Sequence, residues 1–285
     1  MTNNYGSGGS PLFLCKGYNK LKILYCGDLV GRAGRSVINK HIKELKTKYN
    51  IDVVIVNAEN SAHGFGLSAS IAKELLENGV DGIILGNHTW EHRDIYPFLD
   101  ECKKIIRPLN YPENLPGKGA QILEVNGKKI LIAQVLGRLY MSPANSIVEP
   151  LDDLLKIYKL GKNIDAIVVD IHAEATSEKL ALGFYLDGKV SLVAGTHTHV
   201  PTADARILAQ GTGYITDVGM CGDFNSILGF EPQAPIERLS DKYTIQNRLT
   251  PANGPEHTIW GVLIDVNNNG LVDSITQIKE VYKNQ

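Results

Sequence analysis

Leu21-Lys22-Ile23-Leu24-Tyr25-Cys26-Gly27-Asp28 is a nearly unbroken apolar run closed by a glycine and a carboxylate. An apolar run without alternation reads as a β-strand covered on both faces, as in parallel sheets. A carboxylate at the carboxyl end of such a strand points into the crevice where open α/β sheets bind ligands. Alone, Asp28 reads as readily as a turn or helix-cap residue. The same pattern recurs four times downstream. Residues 52–56 lead into Asn57-Ala58-Glu59-Asn60, and 82–85 into Gly86-Asn87-His88. Residues 166–170 lead into Ile171-His172-Ala173-Glu174, and 190–194 into Gly195-Thr196-His197-Thr198-His199.

Helical periodicity fills the gaps. Val37, Ile38, Ile42 and Leu45 share one side of a helix over 35–49. Ser68 caps a second helix that runs to about 78, where Gly79 ends it. Repeated strand-helix-strand units predict a parallel sheet with right-handed crossovers. Asn126-Gly127 then joins 120–125 to 129–135 as a hairpin. A helix over 151–160 follows, and another lies between 166–170 and 190–194. Residues 214–217 are short and extended, and 258–266 pairs with 271–279 around Asn267-Asn268-Asn269-Gly270. Two strand-rich halves with helices outside predict an α/β fold, a four-layer α/β/β/α sandwich forming one domain over 21–285. Residues 1–20, polar and glycine-rich, are expected to be a flexible leader or an expression remnant.

The 285 residues are ample for a buried core, and the formal net charge is −2 without a basic run. Stable binding of duplex DNA is therefore not expected. Small anionic substrates remain open, because bound metals supply positive charge locally. No apolar stretch is long enough to span a bilayer, so no membrane partner is expected. Cys15, Cys26, Cys102 and Cys221 form no CxxC pair and read as reduced thiols of a cytoplasmic protein.

The strand-end motifs offer oxygen and imidazole donors rather than sulfur, as a two-metal hydrolytic site requires. Glu59 and Asn60 at the end of an apolar strand are costly unless paired. Glu59 is able to bridge two cations and Asn60 to complete one sphere; a hydrogen-bonded strand cap is the plainer alternative. Asn87 reads as a ligand and His88 as a catalytic or supporting group, because neighbours on extended backbone point apart. Plain loop chemistry also produces Gly-Asn-His. His197 and His199, taken as extended, share a face about 7 Å apart and serve one metal each. His41, His92 and His257 read as surface or structural. His63 reads the same way, with pocket lining as the lesser alternative, and Cys221 reads as a small buried residue. The chain has no GxSxG elbow, Walker loop or HExxH helix.

With these motifs in order, the sequence resembles the calcineurin-like metallophosphoesterases, and more closely their YmdB-like bacterial branch. The likeness also takes in Gly64-Phe65-Gly66, Gly86-Asn87-His88-Thr89-Trp90 and Tyr214-Ile215-Thr216-Asp217-Val218-Gly219-Met220. The resemblance implies the calcineurin-like form of the sandwich and hydrolysis of cyclic nucleotides, notably 2′,3′-cyclic AMP. It implies one metal held by Asp28, Glu59, Asn60 and His199. A second would be held by Glu59, Asn87, His172 and His197, with Glu59 bridging and His88 as proton donor. The superfamily's first motif usually reads Asp-x-His; here Val30 stands at the histidine position, and Asn60 replaces it. The usual bridging aspartate is Glu59. Both departures agree with the YmdB-like branch.

The expected reaction is attack of an activated water on phosphorus between two ions about 3.5–4 Å apart. The ions are divalent or mixed-valence. The mixed O and N donor set admits iron, manganese or zinc, and the resemblance favours iron. It also suggests a homo-oligomer. A phosphomonoesterase or RNA nuclease on the same site, and a regulatory RNA-associated protein with structural metals, remain alternatives. Selectivity is expected to rest on loops such as 137–148 and 222–238.

Overall fold

A computed structural model describes residues 20–239 and 248–284. The proposed leader, Lys20 excepted, lies outside the described residues. The first half runs β1 (Leu21–Leu29), α1 (Gly31–Tyr49), β2 (Val53–Asn57), α2 (Ala69–Glu77), β3 (Gly82–Ile84), α3 (Ile95–Glu101) and β4 (Ile105–Ile106). Then come β5 (Ala120–Val125), β6 (Lys128–Leu136), α4 (Val148–Ile157), β7 (Ala166–His172), α5 (Thr176–Leu186) and β8 (Leu192–Thr196). The chain finishes with β9 (Arg206–Ile207), β10 (Gly213–Ile215), β11 (Met220–Cys221), α6 (Gln233–Arg238), β12 (Glu256–Val266) and β13 (Val272–Lys283).

The strands form two sheets, a mixed α/β architecture. The first is ordered β13-β12-β1-β2-β3-β4, with β11 also paired to β1; the second is β5-β6-β7-β8-β10-β9. β1 to β4 are parallel, as are β6, β7, β8 and β10. The antiparallel additions lie at the flanks.

Alternation along the central strands assigns each side chain to one of two cores. Ile23, Tyr25, Val53 and Ile55 of the first sheet meet Ile132, Val168, Leu192 and Ala194 of the second. The opposite residues Leu24, Val54 and Val56 pack with Ile38, Ile42, Leu45 and Leu75 of α1 and α2. Likewise Leu131, Ile167 and Val169 pack with Leu151, Leu182 and Leu186 of α4 and α5. Burial on both faces is why these strands read as continuous apolar runs.

Local signals place several joints. The Ser68 hydroxyl accepts from the Ile71 amide at 3.3 Å and caps α2. Asn126 and Gly127 both have positive φ, 51° and 76°, as a tight hairpin turn demands. The helix expected over 151–160 instead occupies Val148–Ile157. Pro150 sits in its first turn, where a missing amide hydrogen costs nothing. The short elements α3, β4, β9, β11 and α6 have too few residues to show a period.

Candidate active site

The carboxyl ends of the parallel strands of both sheets converge. Asp28 lies within β1, where the register shifts between Cys26 and Asp28 and re-aims the chain. β2 ends at Asn57, so Glu59 and Asn60 sit in the turn beyond it. Asn87 and His88 were expected on extended backbone, but β3 stops at Ile84. They lie in a turn in which the Thr89 hydroxyl donates to the Gly86 carbonyl at 2.6 Å. Gly86 has no substitute here: a Cβ would stand 2.3 Å from Glu59 Oε2 and 2.6 Å from His172 Cε1.

The extended reading of His-x-His is also corrected. His197 and His199 have φ of 94° and 63°, beyond the end of β8. Tertiary contacts impose these left-handed kinks, which cost non-glycine residues energy. Asp217 accepts from the Thr198 amide at 3.2 Å and from its hydroxyl at 2.7 Å. Lys179 of α5, fully buried, donates to Asp217 and to the Thr196 carbonyl, both at 2.7 Å. A buried ion pair thus clamps the loop carrying both histidines.

Four donor atoms surround one point. His172 Nε2 lies 2.8 Å from Glu59 Oε1, 2.8 Å from Asn87 Oδ1 and 3.2 Å from His197 Nδ1. Glu59, His172 and His197 form a group able to hold a metal ion. Burial would push the Glu59 carboxyl up, but the charge and hydrogen bond of His172 outweigh it and hold it below its ordinary value. Burial works against charge on His172, yet Glu59, Asp28 and Asp170 together keep it above the ordinary imidazole value. His197 is pushed down to about 3, first by burial and then by the charge on His172.

A second point is marked by unmet valence. Asp28 Oδ1 and Asn60 Oδ1 are buried with no hydrogen-bond partner among the described residues. Burial, with Glu59 and Asp217 nearby, drives the Asp28 carboxyl well above its ordinary value despite His172. The Asn60 amide donates to the Gly64 carbonyl at 2.9 Å, which turns its oxygen the other way. His199 directs Nδ1 to the Leu228 carbonyl at 2.9 Å, with no hydrogen bond to Nε2 among the described residues. Orphaned oxygens of this kind cost about 1–3 kcal/mol each, and a cation meets their need. The donor set therefore fits metal binding.

His88 is half-buried and lines a cavity of about 260 Å³ together with Glu59, Asn60, His197 and His199. Its Nδ1 is 3.2 Å from Glu91, and its backbone amide donates to Glu59 Oε2 at 2.9 Å.

A family model described as "YmdB-like protein" matches residues 24–278. The chain belongs to the YmdB-like family. A Bacillus subtilis (strain 168) relative named 2′,3′-cyclic-nucleotide 2′-phosphodiesterase is 44% identical over 248 residues, 87% of this chain and 92% of that protein. A crystal structure described as a novel phosphatase from Mycoplasma pneumoniae is 37% identical with TM-score 0.84, covering 93% of this chain and 94% of that one. A hypothetical protein from Thermus thermophilus is 39% identical with TM-score 0.83, covering 93% of this chain and 100% of that one.

In this YmdB-like chain Glu59, Asn87 and His197 gather around His172, the His197 amide donates to Asp28 Oδ2 at 3.2 Å, and Asn60, His88 and His199 line one cavity with Glu59 and His197. His63 is exposed and His257 buried, neither among the cavity residues. Cys221 is buried and donates to the Trp260 carbonyl at 3.3 Å.

Sequence reasoning missed the supporting groups. His172 Nδ1 lies 2.8 Å from the Thr196 hydroxyl, which donates to Asp170 at 2.9 Å. Tyr25 and Gln134 also donate to Asp170. His197 Nε2 lies 3.3 Å from Glu174. Such partners set ring orientation and donor strength. Asp170 within an apolar strand and Lys179 on the buried face of α5 were the readable signals, because a charge there needs a partner.

Proposed function

We propose that this chain is a two-metal phosphodiesterase that opens 2′,3′-cyclic nucleotides. One observation carries the reading: four donor atoms converge around His172 Nε2, beside two buried oxygens that lack any donor among the described residues. One metal would be held by Asp28, Glu59, Asn60 and His199, and the other by Glu59, Asn87, His172 and His197. When bound, the metals acidify a shared water and neutralise charge on the phosphoryl oxygens.

The chain's own residues do the rest. Glu59 would serve both metals, and Asn87 and Asn60 would add neutral oxygens that leave net positive charge for a phosphate. Glu91 holds His88 Nδ1, leaving Nε2 to give a proton to the departing ribose oxygen. Water adds across the P–O2′ bond, so the product is a nucleoside 3′-phosphate. The activity in the name of the B. subtilis relative supports this bond choice. Iron is the metal we favour, with manganese or zinc also compatible with the donors. The free thiols Cys26, Cys102 and Cys221 fit a reducing compartment such as the cytoplasm.

The test is turnover of 2′,3′-cyclic AMP, 3′,5′-cyclic AMP, p-nitrophenyl phosphate and short RNA by protein of measured metal content. Metal-dependent conversion of 2′,3′-cyclic AMP to 3′-AMP is expected to dominate. Preference for the monoester, or no turnover of any of the four, would overturn the reading.

A further inference from the structure

The cavity that holds Glu59, Asn60, His88, His197 and His199 has an apolar lining that the metal ligands and His88 do not supply: Phe65, Ile227, Leu228, Phe230, Pro235 and Leu249. Phe65 is half-buried and stacks on Phe230, with ring centroids 5.4 Å apart and planes 26° apart. Its ring meets His88 edge-on at 5.0 Å. An aromatic surface thus begins beside the proposed proton donor and continues from Phe65 to Phe230.

The segment bearing Phe230 is built firmly. Ile227 and Phe230 exchange two backbone hydrogen bonds of 3.0 Å, and Leu228 and Gly229 both have positive φ. A Cβ on Gly229 would stand 2.5 Å from Val30 Cγ1, so the loop rests directly on Val30. Val30, Met220 and Phe230 form a small buried cluster against which Phe65 and Leu249 pack. Val30 is the residue found where a superfamily histidine is usual. Here it is the floor of the aromatic wall rather than a ligand.

We infer that Phe65, backed by Phe230, is the platform on which the nucleobase of the substrate stacks, and so a specificity-determining residue. The inference rests on the nucleoside-phosphate reading above. A cyclic nucleotide carries phosphate and base on different carbons of one ribose. Phosphate at the metal positions therefore puts the base a ribose away, within the cavity whose apolar lining includes Phe65. A planar ring with an aromatic backing suits every base, because each has a π-face, and it favours purines for their larger stacking area. The cavity is smaller than the ~300–1,000 Å³ typical of sites for drug-sized ligands, which suits one nucleotide rather than an extended strand.

The test compares 2′,3′-cyclic AMP with glycerol 1,2-cyclic phosphate, which has the reacting ring but no base. Phe65→Leu keeps apolar bulk and removes the planar face. The ratio of kcat/KM for the two substrates is expected to fall roughly 5- to 150-fold, the range for loss of one base stack. Phe65→Trp is expected to hold that ratio. An unchanged ratio in Phe65→Leu, with both substrates altered in parallel, would overturn the platform and leave the wall as packing only. A binding arm separates this failure from failure of the phosphodiesterase reading. Metal-loaded protein is titrated with adenosine 3′-monophosphate and with inorganic phosphate. A preference for the nucleotide that Phe65→Leu abolishes supports the platform even if no cyclic diester is turned over. Equal affinity for the two in the unaltered protein overturns it.

Discussion

Asp28 Oδ1 and Asn60 Oδ1 are buried acceptors with no donor among the described residues, and His172 and Glu59 hold each other ionised. Without metal, His172 keeps its proton at pH 7, because its pKa is raised. His197 and His199 are already neutral there, because theirs are lowered. An imidazole binds metal only when neutral, so among the histidine ligands only His172 has a proton to surrender, and the Asp28 carboxyl, held well above its ordinary value, is a second source. Metal uptake at pH 7 is expected to release at least about one proton per protein. Affinity should weaken as pH falls and the proton competes better. Calorimetry in two buffers of different ionisation enthalpy measures the release; uptake without it would contradict the assignment of His172. His88 belongs to the same scale. His88→Ala is expected to retain its metals and lose roughly 10²–10⁴-fold in turnover of cyclic diesters. Metal analysis beside steady-state kinetics checks both halves.

At the scale of elements, the most instructive joint is between α5 and the loop after β8. Lys179 projects from the buried face of the helix and ties Asp217 and the Thr196 carbonyl together under the two histidines. Both charges are almost wholly removed from water. Breaking such a pair leaves an uncompensated charge, which costs about 3–5 kcal/mol. Lys179→Met is expected to lose that much stability in urea unfolding, and adding Asp217→Asn to restore part of it. A loss within about 0.5 kcal/mol, the range of ordinary surface substitutions, would show that the clamp is not needed. The kinks at His197 and His199 explain why element-level reading failed here. A Gly-Thr-His-Thr-His string after an apolar run looks extended. Nothing local reveals that Asp217, almost twenty residues on, captures Thr198 and bends the chain.

For the molecule as a whole, the candidate site is a seam. Asp28, Glu59, Asn60 and Asn87 lie near or just beyond the carboxyl ends of strands of the first sheet, and His172, His197 and His199 at or just beyond those of the second. Metals bound there would stitch one sheet to the other. Metal at a hundredfold excess over its Kd is expected to add about 2.7 kcal/mol to folding, so a chelator should lower the thermal midpoint. An unchanged midpoint after verified metal removal would argue against a seam. The order of strands within the two sheets was not legible in the sequence. The succession of the longer strands and helices along the chain, and the candidate donor residues at the strand ends, were legible in it. Each rests on local physics: two-sided burial makes continuous apolar runs, and the catalytic crevice lies where parallel strands end. Resemblance added the ligand pairing and the exchange of Val30 for Asn60. Only the tertiary structure decided which donor atoms face one another, how the His-x-His backbone bends, and what supports it. It also decided that Val30 floors an aromatic wall with Phe65 and Phe230. The physical reason is range: a buried charge or an orphaned oxygen is satisfied by residues far along the chain, and sequence order carries no record of which ones.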